Sequence, residues 1–333
     1  PHFLGMLGMH GLYEANNAMH DCDVMFNVGA RFDDRVTGRL DAFSPGSKKI
    51  HIDIDPSSIN KNVVVDAPIV GDAAVSLRAV LDAWREMGSP RDEDALRDWW
   101  AQIERWRAID CLKFRPSDNL IRPQHAVRRL AEKTAHLKPI ITTEVGQHQM
   151  WAAQYIPFEE PNLWLTSGGL GTMGYGLPAA IGAQIAFPDK LVVDVAGEAS
   201  ILMNIQELST AVQHRAPVKV FILNNEYMGM VRQWQELLHG GRYAESYSEA
   251  LPDFVKLAES FGCVGLRATS DAELEDGIDE MMKVDRPVVF DVCVDPKENC
   301  YPMIPSGKAH NEMLLAPEDF KGDVIDAEGR ALV

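Results

Sequence analysis

Two oxygen-bearing side chains of this sequence, Glu198 and Asn225, stand where they could hold a divalent cation beside a diphosphate. Glu198 follows an apolar, β-branched run, Leu191 to Val195, and Asn225 follows a second run, Val218 to Leu223. Runs of this kind read as buried strands. Between them a Gly197-Glu198-Ala199-Ser200 turn leads into an amphipathic helix reaching about His214, and Pro217 ends that helix. The unit sets an acid, a helix N-terminus and a carboxamide at the carboxyl ends of two parallel strands, the edge where open α/β sheets take ligands. Helix-start N–H groups lack intrahelical partners and sit at the positive end of the dipole, which suits a phosphate. A carboxylate and an amide oxygen are hard ligands of the sort Mg2+ takes while bridging phosphate oxygens. An ordinary βαβ crossover would look the same if Glu198 merely capped the helix and Asn224-Asn225 made a turn. Spacing alone leaves the two readings level.

The elements that must position these groups alternate strand and helix along the chain. Asp23–Gly29, Lys49–Asp55 and Val63–Val70 are strand-like, and Gly71-Asp72 caps a helix from Ala73 to about Met87. Gly88-Ser89-Pro90 breaks the composition. A helical pattern follows over Asp92–Ile109, in which Trp99, Trp100 and Trp106 suit a helix seating its rings on a domain interface better than a ligand cage. From Arg122 a second α/β series begins: a helix from Pro123 to Ala135, a strand over Pro139–Thr143, then the anchor unit. Helices at Met228–Leu238, Pro252–Phe261 and Ala272–Lys283 and strands at Cys263–Leu266 and Pro287–Val292 complete it. Beyond Pro296 periodicity is lost, and residues 316–333 are expected to be a mobile tail. The fold class is therefore α/β with two Rossmann-like parallel-sheet domains, residues 1–88 and 119–300, joined by a helical connector (89–118) and followed by a C-terminal tail (301–333).

A chain of 333 residues can build two proper cores. Its 46% hydrophobic and 24% charged residues are ordinary for a globular protein. The net charge of −17 argues against a nucleic-acid surface. No apolar run has transmembrane length, and the N-terminus has no signal-peptide pattern. Five cysteines (Cys22, Cys111, Cys263, Cys293, Cys300), odd in number and without a CxxC pair, read as free thiols in a reducing compartment. A cytoplasmic location is expected, with an organelle left open.

GEAS at 197–200, followed by helix, strand and Asn224-Asn225, resembles the thiamine-diphosphate motif that runs from Gly-Asp-Gly-Ser to Asn-Asn. Its continuation NNEYMGMVRQWQ, with TSGGLGTMGYGLPAAIGAQ at 166–184, GMLGMHG at 5–11 and GARFDDRVTG at 29–38, closely resembles the catalytic subunits of acetohydroxyacid synthases (acetolactate synthases). The resemblance covers nearly the whole chain. It departs at Glu198, where the family has Asp, and at Ala199, where it has Gly.

The resemblance implies thiamine diphosphate, Mg2+ and FAD as cofactors. Mg2+ ligands would be Glu198, Asn225 and the main-chain carbonyl of Tyr227. The diphosphate cofactor would contact Val145, Gly146, Gln147 and His148, then Gly171 and Met173. Gly197 to Ser200 (with Ala199) and Gly229, Met230 and Val231 would complete its site. FAD would contact Met9, His10, Gly29, Ala30, Arg31, Asp33, Arg35 and Val36, together with Asp53, Ile54, Asp72, Gln149 and Met150. Met173 would support the bent cofactor, Trp234 would shape the pocket for the second substrate, and Arg35 would hold that substrate's carboxylate. Each of these residues also has an ordinary reading: strand-end solvation for Asp53, Arg31 and Arg35 pairing with Asp33 and Asp34, a hydrogen-bonded structural role for His148, and core packing for Met173 and Trp234.

The implied reaction decarboxylates pyruvate and transfers the hydroxyethyl unit to pyruvate or 2-ketobutyrate, in branched-chain amino-acid synthesis. Partners implied are small 2-keto acids, further copies in a homodimer or tetramer, and a regulatory small subunit, with no nucleic acid and no membrane. No part of the sequence matches the family's pyrimidine-binding domain, which carries the Glu needed to activate the cofactor, and the chain opens on Pro1. The expectation is a C-terminal portion of such an enzyme, inactive or very weak alone. The other readings are a non-catalytic cofactor-binding half-protein, and a different thiamine-dependent 2-keto acid oxidase or decarboxylase. GARFDDRVTG with MGMVRQWQ disfavours the last.

Overall fold

A computed structural model describes residues 2–319. They divide into two compact units, one made of residues 2–113 with 301–319, the other of Phe114–Cys300. Both are α/β with parallel sheets.

In the first unit the strands β1 (Val24–Val28), β2 (Lys48–Asp53) and β3 (Ala67–Val70) pair in parallel in that order. Phe32, Phe43, Val63 and Val65 form a small core beside them. Asp72 caps the Ala73–Glu86 helix, accepting from the Val75 N–H at 3.0 Å. The tryptophan-rich helix, Glu93–Arg107, is part of this unit and not a separate connector. Ile103 and Trp106 pack on Ala18 of the Tyr13–Asp21 helix, with Trp99 edge-on to Trp106 at 5.7 Å between ring centroids.

Residues 301–319 also differ from a free tail. The Ile304 N–H donates to the Met9 carbonyl (2.7 Å), and His310 Nε2 meets the Val36 carbonyl at 2.6 Å. Both contacts end on main-chain carbonyls and join aperiodic segments, so no hydrophobic period announces them. The expected mobile tail at 316–333 falls mostly beyond residue 319, outside the described residues. Pro317–Asp319 is a 3-10 turn.

The second unit is a doubly wound sheet of β4 (Ile140–Thr143), β5 (Trp164–Leu165), β6 (Val192–Gly197), β7 (Lys219–Asn224), β8 (Val264–Ala268) and β9 (Val288–Cys293). Their spatial order is β5-β4-β6-β7-β9-β8, and every pairing is parallel. Burial on both faces explains why the central strands read as unbroken apolar runs. Alternation then sorts the side chains. Val193, Val195, Phe221 and Phe290 join one core with Leu130, Trp151 and Ile278 from the helices Pro123–Thr134, Gln147–Tyr155 and Asp271–Lys283. Val192, Ala196, Val220 and Ile222 join the opposite core with Leu177, Ile201 and Phe254. Each fully buried side chain of this size contributes about 1.5–3 kcal/mol, so the two cores hold the strand ends rigidly.

The helix after Gly197 is broken. Glu198–Ile201 is α-helical, Leu202–Glu207 is 3-10 with Asn204 out of helical geometry, and Leu208–Gln213 resumes.

Candidate functional site

Strand order fixes where a ligand can sit in the second unit. From β4 the chain crosses to β5 on one side, and from β5 it returns to β6 on the other. The connections leave β4 and β6 in opposite directions, which opens a crevice at their carboxyl ends. Val145 to His148 follow β4, and Gly197 to Ser200 start at the last residue of β6; both line one cleft, together with Asn225 and Tyr227 beyond β7. Met173, Gly229, Met230 and Val231 close its walls. The structure thus gathers residues spread over more than eighty positions. Gly171, Gln149, Met150 and Trp234 do not line this cleft.

Glu198 is 1% exposed, and its Oε1 has no hydrogen-bond partner. Burial pushes the carboxyl up to about 8; the N–H groups of Glu198 and Asn225 pull the other way, and Asp291 and Glu226 add to the rise. A buried carboxylate oxygen with nothing to accept from is an expensive group to leave unpaired. A divalent cation would satisfy it. The Asn225 carboxamide is also buried, its Oδ1 accepting from the Tyr227 N–H at 3.2 Å. A carbonyl oxygen has a second lone pair for a metal. Among the described residues no cluster of three His, Cys, Asp or Glu side chains could hold a metal. Glu198, Asn225 and Tyr227, which line the cleft together, carry a carboxylate, a carboxamide and a main-chain carbonyl. A cation held by three such oxygens would keep coordination positions for phosphate oxygens and water, as Mg2+ prefers.

His148 lies in the first turn of the Gln147–Tyr155 helix, not in a loop, and is 6% exposed. Burial lowers it to about 3, so the ring is neutral at working pH and is no proton reservoir. A Cβ added at Gly197 would lie 2.6 Å from its Nδ1. The ring therefore packs directly under the turn that begins the Glu198 segment.

The turn behind Met173 is held by a buried acid. Glu144 Oε2 accepts from the Gly174 N–H (2.6 Å) and Oε1 from the Leu177 N–H (3.1 Å), at the start of the Gly176–Ala186 helix. Asp194, fully buried on β6, accepts from Thr142 Oγ1 at 3.0 Å. Burial first, and then the Glu144 charge, raises Asp194 well above the usual carboxylate range. Burial also raises Glu144, against main-chain N–H groups that favour its ionised form. Of the two, Asp194 is the more strongly raised. Neither acid was singled out from sequence, because nothing local marks two residues fifty positions apart as neighbours.

In the first unit the sequence-selected residues follow the strand ends. Gly29, Ala30 and Arg31 come after β1, Asp53 and Ile54 close or follow β2, and Asp72 follows β3. All lie at the carboxyl edge of a parallel sheet. Asp53 is buried and accepts from the Asp55 N–H (2.8 Å), whereas Ile54 is 73% exposed. Asp33 caps the Asp34–Thr37 turn, and Arg31 and Arg35 reach Asp33 and Asp34. Met9, Arg35 and Val36 line a small pocket with residues 304–307 and His310. His10 is buried, with Nδ1 3.1 Å from the Pro302 carbonyl.

On the Gly229–Leu237 helix, Arg232 and Gln233 face inward, while Val231 is 45% exposed. Gln233 is the functional-site neighbour that the amphipathic pattern concealed: a buried carboxamide on a face read as apolar.

Residues 144–292 match the family model of the thiamine pyrophosphate enzyme C-terminal TPP-binding domain, and residues 1–80 that of the thiamine pyrophosphate enzyme central domain. The chain is 50% identical to the acetolactate synthase isozyme 3 large subunit of Escherichia coli (strain K12) over 316 residues, 94% of this chain and 55% of that protein. It is 49% identical to the acetolactate synthase large subunit of Haemophilus influenzae over 318 residues (94% and 55%), and 44% identical to that of Cyanidium caldarium over 322 residues (96% and 54%). It spans about half the length of the curated relatives it matches.

Proposed function

Because the chain belongs to the thiamine pyrophosphate enzyme family, with that family's central and C-terminal domains in order, we propose that it carries the diphosphate half of an acetolactate synthase active site. The observation that carries this reading is the unpaired, buried Glu198 oxygen at the β4/β6 crevice, beside Asn225 and Tyr227. Glu198, the Asn225 oxygen and the Tyr227 carbonyl would hold Mg2+. The turn amides at Gly197–Ser200 and Val145–His148 would take the diphosphate. The departure from the family's Asp falls on the first residue of a four-residue helical segment, Glu198–Ile201.

When bound, thiamine diphosphate supplies the carbon centre and electron sink for 2-keto acid decarboxylation. The chain's own part is placement. Glu144 fixes the turn that presents Met173 to the cleft, and His148, neutral and buried, fixes the turn before Glu198. Pyruvate would be the donor, and pyruvate or 2-ketobutyrate the acceptor, its carboxylate held by Arg35 as a planar fork. FAD would bind along the carboxyl edge of the β1–β3 sheet. The same reading includes a homodimer or tetramer, a regulatory small subunit and a cytoplasmic location. Among the described residues no helix is long and apolar enough to cross a membrane.

The test is equilibrium binding of thiamine diphosphate to the 333-residue chain with Mg2+ or with a chelator, read as a rise in melting temperature. Ligands that bind only the folded state at 100 times their dissociation constant stabilise by about 2.7 kcal/mol. A melting temperature unmoved by Mg2+ and thiamine diphosphate together would sink the reading.

A further inference from the structure

The Asn225 carboxamide is useful to a cation only if its oxygen, not its nitrogen, is presented. Oxygen and nitrogen ends of such groups are told apart by the hydrogen-bond network around them, and here the network is anchored at three points by main-chain groups that cannot change role. The Cys300 N–H is a donor and meets Gln233 Oε1 at 2.7 Å. The Glu298 carbonyl is an acceptor and meets Gln147 Nε2 at 3.1 Å. The Tyr227 N–H is a donor and meets Asn225 Oδ1 at 3.2 Å. Between these anchors, Gln147 Nε2 donates to Gln233 Oε1 at 2.8 Å and Asn225 Nδ2 donates to Gln147 Oε1 at 3.1 Å. Reversing any one amide would set donor against donor or acceptor against acceptor.

The chain of amides is also buried and tight. Gln147 is 2% exposed, Gln233 is fully buried and Asn225 is 5% exposed. Gly229 makes room for it: a Cβ there would stand 2.0 Å from Gln147 Oε1 and 2.8 Å from Asn225 Nδ2. In so shielded a place each bond is strengthened and each mismatch is costly.

We propose that Gln147 and Gln233 are positioning residues for the cation site: through two buried amide contacts they lock the Asn225 carboxamide with its oxygen on the Tyr227 side, next to Glu198. This inference rests on the cofactor reading above and adds to it a specific pair of residues outside the metal's own ligands. Partners that orient a metal ligand contribute about 10–100-fold to metal affinity.

The experiment titrates Mg2+ at a fixed, saturating concentration of thiamine diphosphate and reads the melting temperature of the 333-residue chain. Wild type is compared with Gln233→Leu, Gln147→Met and Gln233→Glu. The first two remove the relay. The third keeps the acceptor that selects the orientation of Gln147. The Mg2+ concentration giving half the full shift should rise about 10–100-fold in Gln233→Leu and Gln147→Met and return close to wild type in Gln233→Glu. The unliganded melting temperature, read in the same run, reports any general loosening, which lowers the baseline without moving the Mg2+ midpoint. Midpoints unchanged in both Gln233→Leu and Gln147→Met overturn the proposal, and so does a Gln233→Glu midpoint as high as that of Gln233→Leu. If Gln233→Leu does not fold, Gln147→Met decides alone. A wild-type chain with no Mg2+ dependence removes the cofactor reading itself, and this inference with it.

Discussion

Replacing Gly197 by Ala probes the contact on which the front of the cleft rests. The backbone there has φ −106° and ψ 159°, a conformation open to any L-residue. Any penalty for a side chain must therefore come from space. The new Cβ would lie 2.6 Å from His148 Nδ1 and 2.8 Å from His148 Cε1, well inside contact distance of a ring that is itself buried. Overpacking of this kind costs about 1–3 kcal/mol. Taking about 2 kcal/mol, the melting temperature of a unit of this size should fall by about 4–8 °C.

His148→Ala alone removes buried ring contacts and should cost a similar amount, about 2 kcal/mol. Combined, the two should not add, because the methyl at 197 enters the space the ring has left. The expected coupling is about 2 kcal/mol in favour of the double variant, within the range for residues in direct contact. Scanning calorimetry of the four proteins without ligand measures it. If Gly197→Ala lowers the melting temperature as much in the His148→Ala background as in wild type, the ring is not what excludes a side chain from the turn.

Asp194→Asn should flatten the pH dependence of stability. The folded acid holds its proton far above 3.8, so the folded chain binds more protons than the unfolded one and loses stability as pH rises through that window; the Asn variant, melted from pH 5 to 9, should gain on wild type as pH increases. Glu198→Gln should follow the same sign between 4.5 and about 8, stabilising the metal-free chain at pH 9 by at most about 5 kcal/mol at 1.36 kcal/mol per pH unit. Equal melting temperatures for that variant and wild type at pH 9 in chelator would refute the buried-charge account. Glu198→Ala should abolish the Mg2+-dependent shift given by thiamine diphosphate, and an unchanged Mg2+ midpoint would remove Glu198 from the ligand set. Met173→Ala should leave that midpoint unchanged but lower acetolactate formation by the complete enzyme about 100-fold, the scale expected of lost positioning; a dissociation constant that rises in proportion would make Met173 a binding group instead.

Much of the second unit was legible because its strands are buried on both faces and so read as apolar runs. β6 and β7 begin one residue later than their sequence runs and end one or two residues beyond them. The Gly176–Ala186 helix carried no signal. GLPAAIGAQIA is apolar nearly all round and contains two glycines and a proline, so neither amphipathic period nor propensity marks it. The Gln147–Tyr155 helix was missed for a related reason, since its residues show almost no segregation of polar from apolar faces. At the site, the residues following β4, β6 and β7 were found from motif resemblance and strand-end logic. The contacts that orient them were not, even where a residue such as Gln147 was itself named. Gln147 meets Asn225 across 78 positions and Gln233 across 86, and such pairings exist only once the strands are in order. Glu144 and Asp194 belong to the same class, as acids whose meaning comes from the partner across the sheet.

The first unit is interrupted in sequence by the whole of the second. Its hydrogen bonds from the Ile304 N–H to the Met9 carbonyl, from the Arg39 N–H to the Lys308 carbonyl and between the His310 ring and the Val36 carbonyl join residues about 270–295 positions apart. During synthesis the segment that supplies Ile304 and His310 emerges only after residues 114–300 have left the ribosome, a delay of roughly 10–40 s at about 5–20 residues per second. The second unit can fold in that interval from contiguous chain. The first must wait for residues 301–319, and until they emerge the His310 ring cannot stand against Phe43. Of these two units, the one whose first residues emerge earlier is therefore the later to close, and that is where a chaperone or a protease would find this chain.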